Sequence, residues 1–160
     1  MCATGLRALD VREIGADALA PTADLRLAMT KELDGADLDA RFPGWRARYV
    51  SFFGGLIGSG KGAVFVAFAA ELPVGMGAVY RLTNHRSEIY EQPSGFVTHV
   101  YVKPAYRRRG VAAVITSRAV TWAKSHGCIV VRLRPSSMGK PVYESLGFRQ
   151  TNELELDLGT

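Results

Sequence analysis

Hydrophobic positions along the chain change period several times, and each change marks an element. Residues 6 to 13 place Leu9 and Val11 on one side of a short first strand. Pro21 stands at a helix start with Thr22 and Asp24 in the first turn. Leu25, Leu27, Ala28 and Leu33 form the stripe that follows, and Gly35 predicts its end. Trp45, Tyr49, Phe52, Phe53 and Leu56 recur at spacings of three and four, which predicts a second helix over about 44 to 57. Residues 63 to 70 are apolar on both alternating faces, the pattern of a central strand covered on both sides. Glu71-Leu72-Pro73 reads as a turn into a strand over 74 to 82, making a hairpin.

Residues 84 to 94 are polar, carry Pro93 and read as a loop before a strand over 95 to 102. A helix over 110 to 124 turns Val111, Val114, Ile115, Ala119 and Trp122 inward and ends at His126-Gly127. A strand over 128 to 134 and a short helix over 138 to 146 follow, the helix closed by Gly147. Leu154, Leu156 and Leu158 alternate with Glu153, Glu155 and Asp157 in a half-exposed last strand. The order is β-α-α-β-β-β-α-β-α-β, a mixed α/β sheet. Without repeats or linker-like stretches, residues 1 to 160 read as one domain.

Composition narrows the class. With 48% apolar and 22% charged residues, the chain can bury a core without metal or disulfide staples. Its cysteines, Cys2 at the terminus and Cys128 in an apolar run, make no disulfide framework, which suits a reducing cytoplasm. No apolar run reaches the length of roughly 18 residues that a membrane span needs. The N-terminus lacks a signal-peptide core, and the second residue is not the glycine of N-myristoylation. The formal charge of +5 favours an anionic ligand: a phosphorylated cofactor, nucleic acid or an acidic surface. No recognition-helix or zinc-ligand pattern points to DNA or to a metal.

Two segments are candidates for phosphate. Gly55-Leu-Ile-Gly-Ser-Gly60-Lys61-Gly62 nearly matches a nucleotide-triphosphate loop, but Gly62 replaces the magnesium-binding Ser or Thr. It also follows a helix and opens a strand, the reverse of what phosphate binding needs. It reads as a flexible connection. The second segment has the right context. Pro104 stops a strand, and Arg107, Arg108, Arg109, Gly110, Val111 and Ala112 carry the turn into a helix. The first amides of a helix lack internal partners and lie at the positive end of its dipole, so a diphosphate accepts several of their hydrogen bonds. Gly110 and Ala112 are small enough to let the phosphates reach the backbone.

Val102-Lys103-Pro104-Ala105-Tyr106-Arg107-Arg108-Arg109-Gly110-Val111-Ala112 resembles motif A of the GCN5-related N-acetyltransferase (GNAT) family, whose core Gln/Arg-x-x-Gly-x-Gly/Ala is met by Arg107, Gly110 and Ala112. Met138 to Phe148 is similar to motif B, ending Tyr143-Glu144-Ser145-Leu146-Gly147-Phe148. The likeness is strong over about 95 to 150, and the element order extends it over nearly the whole chain.

The resemblance implies a sheet splayed between its fourth and fifth strands. It implies acetyl-CoA or another acyl-CoA as co-substrate and an amine acceptor, with no metal. Pantetheine would pair with backbone around Val100, Tyr101 and Val102. An Asn that often bonds the cofactor six residues before the Tyr is Ser137 here, a shorter reach. Tyr143 matches the residue that protonates the leaving thiolate in many members. A thiol near about 8.5 needs only modest help from a phenol near about 10. Backbone N–H groups near Val100 would stabilise the oxyanion.

The strand Glu that serves some members as base is replaced by Phe96, leaving Thr98, His99, the loop carboxylates Glu88 and Glu91, or a water chain. Strand alternation sends Thr98 and His99 to opposite faces unless a bulge intervenes. Acceptor-pocket candidates are Glu32, Trp45, Tyr49, Phe53, Tyr80 and Arg86. The expected reaction is transfer of an acetyl or other acyl group to a primary amine of a small molecule or peptide. An aminoacyl-tRNA-linked donor and a non-catalytic CoA-binding module are the alternatives. Homodimers are common in the family, and the charge permits contact with tRNA without demanding it.

Overall fold

The doubly apolar stretch lies at the centre of the sheet. In the computed structural model, which describes residues 9 to 159, the chain runs β1 (Asp10–Ile14), α1 (Ala23–Asp34), α2 (Leu38–Arg41), α3 (Trp45–Gly58), β2 (Gly62–Ala69) and β3 (Leu72–Leu82). It continues with α4 (His85–Tyr90), β4 (Ser94–Val102), α5 (Val111–Ser125), β5 (Val130–Leu133) and α6 (Lys140–Ser145). The sheet order is β1-β2-β3-β4-β5, antiparallel except for β4 beside β5. Both faces are covered, so β2 carries no polar side chain. Val64 and Val66, with Met76 and Ala78 of β3, pack under α1 and α3, where Leu25, Tyr49 and Phe53 meet them. Phe65, Val79 and Val97 point the other way, onto Val111, Ile115 and Ala119 of α5.

The helix α5 packs directly on the sheet, and glycines make that room. A Cβ built on Gly77 would stand 2.5 Å from the Ile115 Cγ2 and 3.3 Å from the Val100 Cγ2. Ile115 is fully buried and has nowhere to retreat. Gly77→Ala is therefore expected to cost roughly 1–3 kcal/mol through overpacking, read as a lower denaturation midpoint. An unchanged midpoint would mean that α5 is free to shift.

Several boundaries differ from expectation. Residues 6 to 8 of the predicted first strand lie outside the described residues, as does Cys2; the described part of that strand is Asp10–Ile14. The hairpin turn is Ala70-Glu71, and Leu72 and Pro73 already pair with β2. The polar stretch expected to be a loop contains α4, because Asn84 and Ser87 form a reciprocal capping box. The predicted last strand is not formed. Residues 149 to 159 have no regular structure, and Leu154 is 97% exposed. A strand needs a partner, and among the described residues this segment is tied by Arg134, which pairs with Glu153 and Glu155. Among the described residues, no helix is long and apolar enough to cross a membrane.

Candidate active site

The cleft follows from where β5 stops. β4 and β5 pair from Ser94↔Val130 to Val97↔Leu133 and no further. From Thr98 onward β4 has no partner strand on that side, so half its backbone polar groups face an opening. The opening is a cavity of about 930 Å³. One wall is β4 and the end of α1, another is the start of α5, and the third runs from Ser136 to Tyr143. This is the splay that the family resemblance implies between the fourth and fifth strands.

A bulge shapes the middle of β4. Met76 pairs with Tyr101 and Ala78 with Thr98, so His99 and Val100 together stand opposite Gly77. The extra residue is accommodated by His99 adopting a left-handed backbone, φ 56°. Strand alternation is thereby broken, and Thr98 and His99 both line the cavity. The His99 ring lies 6.1 Å from the Tyr49 ring, stacked, and 5.2 Å from Phe53. Its Nδ1 is buried without a hydrogen-bond partner among the described residues. Burial, and secondarily the nearby Arg26 cation, push the imidazole pKa down to about 3.

This imidazole is neutral at every pH near 7. Unfolding would restore its ordinary value of 6.5. Below that pH the unfolded chain gains a proton that the folded chain refuses. The stability His99 contributes is therefore complete above about pH 6.5 and lost progressively toward pH 3. His99→Phe should gain on the wild type by about 1–2 kcal/mol between pH 7 and pH 5. Urea midpoints at the two values check it, and parallel midpoints would mean that the ring is solvated.

At the other end of the cleft the turn before α5 is built as a cradle. Arg108 and Gly110 both take left-handed backbone, at φ 61° and 75°. The first helical hydrogen bond runs from Val114 N–H to the Gly110 carbonyl at 3.0 Å, which leaves the amides of Val111, Ala112 and Ala113 without helical partners. Arg107 braces this turn. Its Nε donates to the Val102 carbonyl at 2.8 Å, and its two terminal nitrogens donate to the Glu32 carboxylate at 2.6 and 2.7 Å. The guanidinium holds the Glu32 carboxyl below its usual range. Tyr143 stands across the cleft on α6. Its ring packs edge-on against Phe148 at 6.0 Å, and burial pushes its phenol pKa up, so the hydroxyl keeps its proton at neutral pH.

A profile described as "Acetyltransferase (GNAT) domain" matches residues 60–150, more than half the chain. The chain belongs to the GNAT acetyltransferase family. Solved structures agree on the GNAT fold. A GCN5-related N-acetyltransferase from Ralstonia eutropha superposes with TM-score 0.78 at 20% identity, over 94% of this chain and 99% of that one. A predicted acetyltransferase from Clostridium acetobutylicum, solved with acetyl-CoA, gives 0.75 at 20% identity, over 94% and 96%. By sequence, an aminoglycoside N(6')-acetyltransferase type 1 from Acinetobacter haemolyticus is 34% identical over 65 residues, 39% of this chain. The match spans 45% of that relative's length.

Within this GNAT domain, the cleft gathers Thr98, His99 and Tyr143 with Val100, Tyr101, Val102, Arg107, Arg108, Gly110, Val111 and Ala112. Arg109 and Ser137 stand outside the lining. Arg109 donates to the Ala105 carbonyl at 3.4 Å, and Ser136, not Ser137, faces the cleft. Of the acceptor-pocket candidates, Glu32 lines the cleft, while Trp45, Tyr49 and Phe53 belong to the core beneath it. Tyr80 packs on Phe52 and Phe96, and Arg86, Glu88 and Glu91 are exposed around α4. Arg26, Met29 and Met138 also line the cleft and were not singled out in the sequence. For Arg26 a signal existed: it is a lone cation inside the apolar run of α1.

Proposed function

We propose that the protein transfers an acetyl group, or another acyl group, from acetyl-CoA to a primary amine by direct attack. One observation carries this reading. A single cleft joins the unpartnered edge of β4 to the free amides of α5, with a protonated phenol on the facing wall. Diphosphate would take the Val111, Ala112 and Ala113 amides, with Arg108 adding charge. Pantetheine amides would pair with the open β4 edge near Val100 to Val102. The thioester would then lie beside the bulge, where backbone N–H groups meet its carbonyl oxygen.

The neutral amine attacks the thioester carbon. A C–N bond forms, and collapse of the tetrahedral intermediate breaks the C–S bond. The thiolate takes the Tyr143 phenolic proton, and the nitrogen loses its proton through water passing Thr98 and His99. Phenol and thiol stand close enough in ordinary pKa for that donation. His99, being neutral, accepts or donates a hydrogen bond there and stores no proton. The relatives named for aminoglycoside acetylation support an amine nitrogen as acceptor. Calorimetric titration with acetyl-CoA, with free CoA and total tRNA in parallel, tests the donor. Micromolar binding of acetyl-CoA supports the reading. Binding of tRNA alone, or of neither, would end it.

A further inference from the structure

Arg26 is the feature of the cleft that acyl transfer leaves unused. It projects from α1 into the cavity and is half-buried. The guanidinium has one polar contact among the described residues, with the Met29 sulfur at 4.0 Å. It makes no ion pair among the described residues, and residues 1 to 8 contain no Asp or Glu. Two of the other cavity arginines have carboxylate partners: Arg107 pairs with Glu32, and Arg134 with Glu153 and Glu155.

Among the described residues, nothing around Arg26 supplies the missing charge. Tyr49 is near, but its hydroxyl lies 2.7 Å from the Thr22 Oγ1, which donates to the Leu19 carbonyl at 2.6 Å. The Tyr49 proton is therefore spent on Thr22, and burial raises its pKa. His99 is close enough for the Arg26 charge to act on it, is itself neutral, and holds a buried Nδ1 with no partner among the described residues. Asp34 exerts only a distant attraction. Loss of solvent lowers the pKa of the Arg26 guanidinium, so a counter-anion is worth more here than at the surface.

Position separates this cation from the diphosphate. Glu32, which holds the phosphate turn through Arg107, is six residues further along α1, about 9 Å at helical rise. Arg26 stands instead beside the β4 bulge, where acyl transfer would occur. We propose that Arg26 receives an anionic group, carboxylate or phosphate, carried by the amine acceptor, so that the acceptor is an anionic or zwitterionic amine. This rests on the acyl-transfer reading above. The remaining lining supports it. Arg26 and Arg108 face the cleft without a carboxylate partner among the described residues, and Glu32, the one carboxylate of the described lining, is already paired with Arg107. A polycationic amine would meet repulsion without a counter-charge.

The test uses acceptors matched but for the anion: an α-amino acid against its amide, and an amino sugar with and without its 6-phosphate. A polycationic aminoglycoside is the fifth acceptor. With acetyl-CoA saturating, the wild type should favour at least one charged member over its neutral partner by roughly ten- to hundredfold in kcat/KM. Arg26→Gln should erase that preference mainly by raising KM for the charged member, and Arg26→Lys should restore part of it. Acetyl-CoA affinity, titrated separately, should not change. The two source arms tell carboxylate from phosphate. Preference for the neutral or polycationic acceptors would overturn the assignment, as would failure to accept any anionic amine. Equal losses for both members of a pair would place Arg26 on the thioester and also overturn it. Failure of the wild type to bind acetyl-CoA is the separate result that removes the acyl-transfer reading itself.

Discussion

Replacing Gly110 by tryptophan is expected to abolish binding of coenzyme A while the chain still folds. Gly110 caps α5 at φ 75°, a region in which a side chain costs about 1–2 kcal/mol. A Cβ there meets nothing within 4 Å, so the fold has room for it. The space filled is that in front of the Val111, Ala112 and Ala113 amides. Losing two charge-assisted hydrogen bonds of about 1.5 kcal/mol each already weakens binding by more than about a hundredfold. Gly110→Ala separates the two costs: it bears the backbone strain but should retain measurable affinity. Undiminished CoA affinity in the tryptophan variant, by calorimetry, would refute the phosphate site.

Tyr143→Phe should act on rate and leave binding alone. The change removes one oxygen and keeps the ring that packs against Phe148, so stability should hold. If the phenol protonates the thiolate, kcat should fall by roughly a hundredfold, the lower range for a general acid. CoA affinity should stay within a factor of about two, because no cofactor contact depends on that proton. An unchanged kcat would take Tyr143 out of the mechanism and leave the thiolate to be protonated by water.

These two expectations rest on the part of the chain most legible in its sequence. The central strand, the hairpin, α5 and the arginine turn announce themselves through period, Pro104 and Gly110, all local signals. The bulge was not legible. It arises from Gly77 facing His99 and Val100 across two strands, a pairing with no signature in either strand alone. The brace between Arg107 and Glu32 joins residues 75 positions apart, a separation at which charge pattern carries no information. Helix α4 was hidden by composition, although Asn84 and Ser87 stood at capping-box spacing. The tail misled in the opposite sense. Leu154, Leu156 and Leu158 have the period of a strand, but period cannot supply a neighbour to pair with. Arg26 is masked in the sequence by the apolar residues around it, whose period marks only the packed side of its helix.

The short seam between β4 and β5 also has a mechanical meaning. Four residue pairs join β5 edge-to-edge to the rest of the sheet, and two of the four β5 side chains are exposed. Beyond Val97 the cleft separates two leaves, the lighter being the segment from Val130 onward, joined by that short seam. A ligand lying across the gap acts as a clasp between the leaves. Its affinity and the resistance of that leaf to opening are then one free energy seen from two sides, growing together as RT ln(1 + [L]/Kd).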